Sequence, residues 1–75
     1  YTLTYCAEKC GVKYEQFRRA RRAGLIPPPF YTNPSGHQLF TFGQMEAIIH
    51  TYRAYRKREI KRREIRGILD ERWND

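Results

Sequence analysis

Residues 4–26 read TYCAEKCGVKYEQFRRARRAGLI, and the fold follows from how this stretch is divided. Apolar and small residues up to Cys10 suit a short helix, residues 4–10, with Thr4 as its N-cap. Gly11-Val12-Lys13 then supplies a tight turn. Glycine accepts the left-handed conformation that ends a helix, and Val12 offers an apolar anchor beneath it. A second helix over 13–23 stops at Gly24. Two helices joined by so short a turn form a helix-turn-helix pattern. At about 100° per residue, Phe17 and Ala20 lie within about 60° of each other and form the buried side. Glu15, Arg18, Arg19 and Arg22 fall on the opposite side, and Arg21 adds to the crowding of cations. Glu15 is spaced to pair with Arg18 and Arg19. A planar, permanently charged guanidinium suits both phosphate and guanine edges.

Outward from this stretch, the whole chain is a small domain of 75 residues with net charge +7 and pI near 9.9. That excess favours an anionic partner. It falls in two blocks. Residues 13–22 carry five positive charges and one negative, and residues 53–66 carry eight positive and two negative. Residues 67–75 are net −2 through Arg72, Asp70, Glu71 and Asp75. The run 53–66 reads as a phosphate clamp laced with pairs such as Glu59–Arg63 and Lys61–Glu64, with Arg53, Arg56 and Lys57 as its leading contacts.

Pro27-Pro28-Pro29 forces an extended spacer with no backbone donors. Phe30-Tyr31-Thr32 and Gln38–Thr41 are strand-prone, and Asn33-Pro34-Ser35-Gly36-His37 between them is dense in turn formers. This predicts a β-hairpin over 30–41, a wing whose contacts to DNA would be His37 and Gln38, then Asn33 and Ser35. Thr41 with Gln44 three residues on predicts a capped helix over 42–56. Its core stripe is Phe42, Met45, Ile48, Ile49, Tyr52 and Tyr55. A last helix over 61–72 carries a second stripe, Ile65, Ile68 and Leu69, with Trp73 beyond. On one continuous helix that stripe would point roughly 160° from the first, so a break is expected between Arg56 and Lys61. Gly67 lowers helix propensity there, and its bare backbone suggests close packing.

These features exclude several classes. No apolar run spans a membrane and no signal peptide is visible, so a cytoplasmic, nucleoid-associated protein is expected. Cys6 and Cys10 read as small buried thiols rather than a disulfide framework. With His37 and His50 the only histidines, no metal site is expected, and no cofactor or small-molecule ligand either. Paired carboxylates, a nucleophile motif and a phosphate loop are all lacking, which argues against an enzyme.

Taken together, Gly11-Val12-Lys13, Phe17-Arg18, Ala23-Gly24-Leu25-Ile26, Gly36–Thr41 and Phe42-Gly43-Gln44-Met45 resemble the DNA-binding domain of the MerR family and the related phage excisionase and small-terminase winged helices. The likeness covers roughly residues 1–70. Arg19 and Ala20 stand where that family has paired tyrosines, and His37 and Gln38 stand where its wing has tyrosine and arginine. The resemblance implies a winged helix-turn-helix, mainly α with a small β-hairpin and three to four helices. It further implies that Arg18 contacts phosphate, that Lys13, Tyr14 and Glu15 open the recognition helix, and that His37 and Gln38 sit on the wing. The expected activity is sequence-preferring double-stranded DNA binding in transcription control, excision or genome packaging. Tyr14, Gln16 and the arginines would set sequence preference. The alternative is an interaction module, a homodimer or a helical partner meeting Ile65, Ile68, Leu69 and Trp73.

Overall fold

The computed structural model describes residues 1–73; Asp75, counted above in the acidic end of the chain, lies outside them. Four helices, α1 (Leu3–Cys10), α2 (Tyr14–Arg22), α3 (Phe42–Arg56) and α4 (Ile65–Arg72), surround one core. A two-stranded antiparallel hairpin, β1 (Tyr31–Thr32) and β2 (Gln38–Leu39), separates α2 from α3. The chain is therefore mainly helical, with a helix-turn-helix followed by a wing. In the hairpin Tyr31 faces Leu39 and Thr32 faces Gln38, leaving the five residues 33–37 as its tip.

Three helices end in the same way. After α1, the Gly11 amide donates to Glu8 O and the Val12 amide to Ala7 O, both at 3.1 Å, with Gly11 at φ +73°. After α2, the Gly24 and Leu25 amides donate to Arg21 O and Ala20 O, with Gly24 at φ +83°. After α3, the Arg58 and Glu59 amides donate to Tyr55 O and Ala54 O. Each is a Schellman closure, which satisfies carbonyls that a helix end leaves free. In the third, a residue with a side chain, Arg58, holds the left-handed position at φ +61°. The expected break between the last two helices is thus present, made by Arg58 without Gly or Pro. A 3-10 turn over Arg62–Glu64 leads into α4, and Glu64 Oε1 accepts from the Lys61 amide at 2.9 Å. That carboxylate serves the backbone rather than pairing with Lys61, and neither Lys61–Glu64 nor Glu59–Arg63 is an ion pair; Arg66–Asp70 at 2.9 Å is.

The core is built from Leu3, Cys6 and Cys10 of α1, Phe17 and Ala20 of α2, Ile26, Phe40, Met45, Ile48 and Tyr52, and Ile65 and Leu69 of α4. Because the chain turns sharply after α3, both apolar stripes face this one interior. Ile65 and Leu69 are fully buried, and Trp73 packs edge-on against Phe40 while its indole N–H donates to Pro28 O at 2.8 Å. Of the face expected to meet a partner, Ile65 and Leu69 are interior, while Ile68 and Trp73 are half-buried.

Other boundaries shift by small amounts. Thr2, not Thr4, caps α1, its hydroxyl accepting from the Tyr5 amide at 3.1 Å. The reason is that Leu3 is needed inside, so the helix starts earlier. Thr41 and Gln44 form the expected reciprocal cap of α3 at 3.0 and 3.1 Å. Phe42, expected in the core stripe, is 56% exposed in the first turn of α3, where it stacks on Tyr1 at 5.9 Å. Gly67 is exposed, and a methyl placed there would meet nothing within 4 Å. It is no close-packing site. Gly67→Ala is therefore expected to stabilise the fold by about 0.5–1 kcal/mol, the propensity difference in a helix interior. A thermal midpoint unchanged or lowered would contradict the open surroundings.

Both thiols are buried, Cys10 with its Sγ 4.0 Å from Ile48 O. Burial raises Cys6 from 9.0 to about 11 and Cys10 from 9.0 to about 12, and raises Tyr52 from 10.0 to about 12. The folded chain therefore holds these protons more tightly than the unfolded chain does. Their contribution to stability is complete below about pH 9 and is lost as pH rises from there toward 12. Urea midpoints measured across that range should fall, and the fall should begin later in a Cys6→Ala/Cys10→Ala variant. Identical onsets in the two proteins would show that the thiols carry none of the effect.

Candidate nucleic-acid interface

The turn before α2 is set by Arg56. Its Nη1 donates to Cys10 O at 3.1 Å and to Gly11 O at 2.8 Å, so the end of α1 is sealed by the end of α3. This fixes where α2 begins. Lys13 is its N-cap and makes no side-chain capping bond, and the first intrahelical bond runs from the Phe17 amide to Lys13 O at 3.1 Å. The amides of Tyr14, Glu15 and Gln16 thus have no helical partner, and the positive end of the helix is open to an anion.

Phe17 and Ala20 are buried as their spacing requires. Lys13, Tyr14, Glu15, Gln16, Arg18, Arg19 and Arg22 are exposed along the rest of α2. Glu15 lies 3.8 Å from Arg18, at the edge of ion-pair range, and neither Arg19 nor Arg22 has an acidic partner. Arg21 is the exception. It points along the buried side, half-buried, with Nε shielded from solvent. Its angle of about 40° from Phe17 explains this, and it leaves the set of freely presented cations.

At its tip, the hairpin ties itself together. Asn33 Oδ1 accepts from the His37 amide at 2.8 Å, Asn33 O accepts from the Gly36 amide at 2.8 Å, and the Asn33 amide donates to His37 O at 3.0 Å. Asn33 is therefore a turn residue whose side-chain acceptor is already used. Ser35 and His37 remain exposed, while Gln38 is half-buried with Oε1 enclosed. A cleft of about 80 Å³ lined by Thr4, Tyr14, His37 and Gln38, among others, joins this tip to the first residue of α2. The wing tip and the start of α2 therefore share one cleft.

The second basic block divides. Arg56 is exposed but held at Nη1 as described, and Arg66 donates from Nη1 to Gly24 O at 2.8 Å, sealing the end of α2 in the same manner. Both cations satisfy backbone carbonyls through Nη1. Arg53 is exposed in a groove between α1 and α3, none of whose lining residues comes from α2 or the hairpin. Lys57 is exposed at the end of α3. Arg62 is the member of the run that reaches α2: it lines a groove of about 340 Å³ with Gln16 and Arg19, floored by Phe17 and Tyr52. Its approach depends on the turn at Arg58, which nothing in the local sequence marks.

No helix among the described residues is long and apolar enough to cross a membrane, and they contain no cluster of three His, Cys, Asp or Glu side chains that could hold a metal ion. Comparison of the chain with protein-family models, curated proteins and solved structures found no match. The likeness to MerR and excisionase domains therefore rests on the residues quoted for it.

Proposed function

We propose that this chain binds double-stranded DNA with a sequence preference, placing α2 in the major groove and the hairpin on the flanking backbone or minor groove. One observation carries this reading: α2 presents Arg18, Arg19 and Arg22 to solvent, with Arg19 and Arg22 unpaired, and its first residue, Tyr14, shares a cleft with His37 of the hairpin tip. A solvated helix face has no need of such a neighbour. Arg18, Arg19, Arg22, Lys13 and Arg62 hold phosphates and set position, while Tyr14, Gln16 and the arginine forks contact base edges. Winged helices of this kind serve as regulators, excision factors or packaging factors, and DNA binding is the common element.

The test is fluorescence anisotropy on duplexes of roughly 25 base pairs, about two helical turns, over a series of salt concentrations. Arg18→Ala is expected to weaken binding by about tenfold or more and to reduce the salt slope by close to one unit, the signature of a lost phosphate contact. Lys9→Ala, on α1 and outside the cleft, should leave both nearly unchanged. Equal affinities for the two variants would remove α2 as the binding element.

A further inference from the structure

The exposed side of α3 carries a pattern the DNA reading does not use. Phe42, Glu46, Ile49, His50, Arg53 and Lys57 recur at helical spacing and share one outward row. All are exposed except Ile49, which is half-buried. The row is continuous with an aromatic cluster, Tyr1 lying 5.4 Å from Tyr5 and 5.9 Å from Phe42, with these three rings 48%, 37% and 56% exposed. Beside it runs a groove of about 390 Å³ between α1 and α3, lined by Tyr5, Lys9, Ile49 and His50 among others. Exposed rings around a carboxylate do not suit a phosphate backbone. Neither Glu46 nor Arg53 has an ion-pair partner among the described residues. They stand seven residues apart, about 10 Å along the axis, too far to pair with each other.

The order of the charges along the row names the occupant. The acid lies in the first half of α3 and the bases in the second. A copy of the same row laid antiparallel, with a two-fold axis between Ile49 and His50, sets Glu46 opposite the partner's Arg53, and does so twice. The same operation sets Phe42 opposite the partner's Lys57, a cation over an aromatic face, and Ile49 opposite the partner's His50. At the 8–10 Å separation of packed helices these pairs are within reach. A parallel copy in register would set like charge on like. We propose that a second copy of this chain docks here, α3 against α3 in antiparallel two-fold contact, with Tyr1, Tyr5 and Phe42 at the rim. A self-complementary patch of this kind closes at two copies.

Sedimentation velocity without DNA, over about two decades of concentration, tests this separately from the DNA reading. The wild-type chain is expected to pass from monomer to dimer with rising concentration. Glu46→Arg and Arg53→Glu each create two like-charge contacts per dimer, and each should weaken association by about tenfold. The double variant restores both pairs with signs reversed, and should recover most of the wild-type affinity. Both side chains are exposed, so the variants fold. A chain that stays monomeric throughout, or a double variant no better than either single one, would overturn the antiparallel contact; neither result touches the binding of DNA by α2.

Discussion

Leu69→Ala is expected to remove about 2–5 kcal/mol of stability, the range for truncating a large buried aliphatic side chain. Leu69 is fully enclosed beside Ile65 and belongs to the same core as Phe17 and Ile48. A chain of this size has a total stability of roughly 4–11 kcal/mol, so the loss takes away a large part of it. The urea midpoint should fall steeply, and at the low end of that range the variant is substantially unfolded at room temperature. Were α4 an exposed platform for a partner, the change would stay within about 0.5 kcal/mol, as surface substitutions do. A measured loss under about 1 kcal/mol would refute the placement of α4. Ile68→Ala, at a half-buried position, should cost visibly less.

The second large effect is expected at Gly11. Its φ of +73° disfavours any residue with a Cβ, at about 1–2 kcal/mol, and an added methyl would collide with Arg56 Nη1. The guanidinium must then give up Cys10 O and Gly11 O, at about 1 kcal/mol more. Gly11→Ala should therefore cost about 2–3 kcal/mol in urea unfolding. The two parts separate in a double-mutant cycle. In an Arg56→Ala background the collision is absent, and Gly11→Ala should cost only the conformational part. Strict additivity of the two substitutions would mean that Arg56 does not occupy the space above Gly11.

The helix-turn-helix was legible because its signals are local: Gly11 and Gly24 mark helix ends, and Phe17 with Ala20 marks a face. The hairpin register was legible from five turn-forming residues between two strand-prone runs. What the chain concealed depends on long-range placement. Two stripes pointing about 160° apart left a break or a separate partner for the second stripe, and the favoured break is the one present. The break then let both stripes turn to one core, which the angle alone did not reveal. Arg58 hides that break, since a left-handed arginine within a basic run looks like any other cation. Charge counting likewise recognised Arg56 and Arg66 as basic without showing that they point at Gly11 O and Gly24 O. Arg62, by contrast, gained its place beside Arg19 only through the turn that Arg58 makes.

Arg56 and Arg66 reach across 45 and 42 residues of sequence to the ends of α1 and α2. The segment that carries the exposed cations of α2 is therefore not a portable unit. A peptide copied from residues 1–26 would keep the side chains of α2 proposed to touch DNA, but not Arg62 or the hairpin. It would lack the guanidinium groups that close its helices, and the α3 and α4 surfaces that hold them. Transplanting the helix-turn-helix onto another scaffold therefore requires carrying over the far end of the chain, or building substitutes for two arginines that act on its backbone.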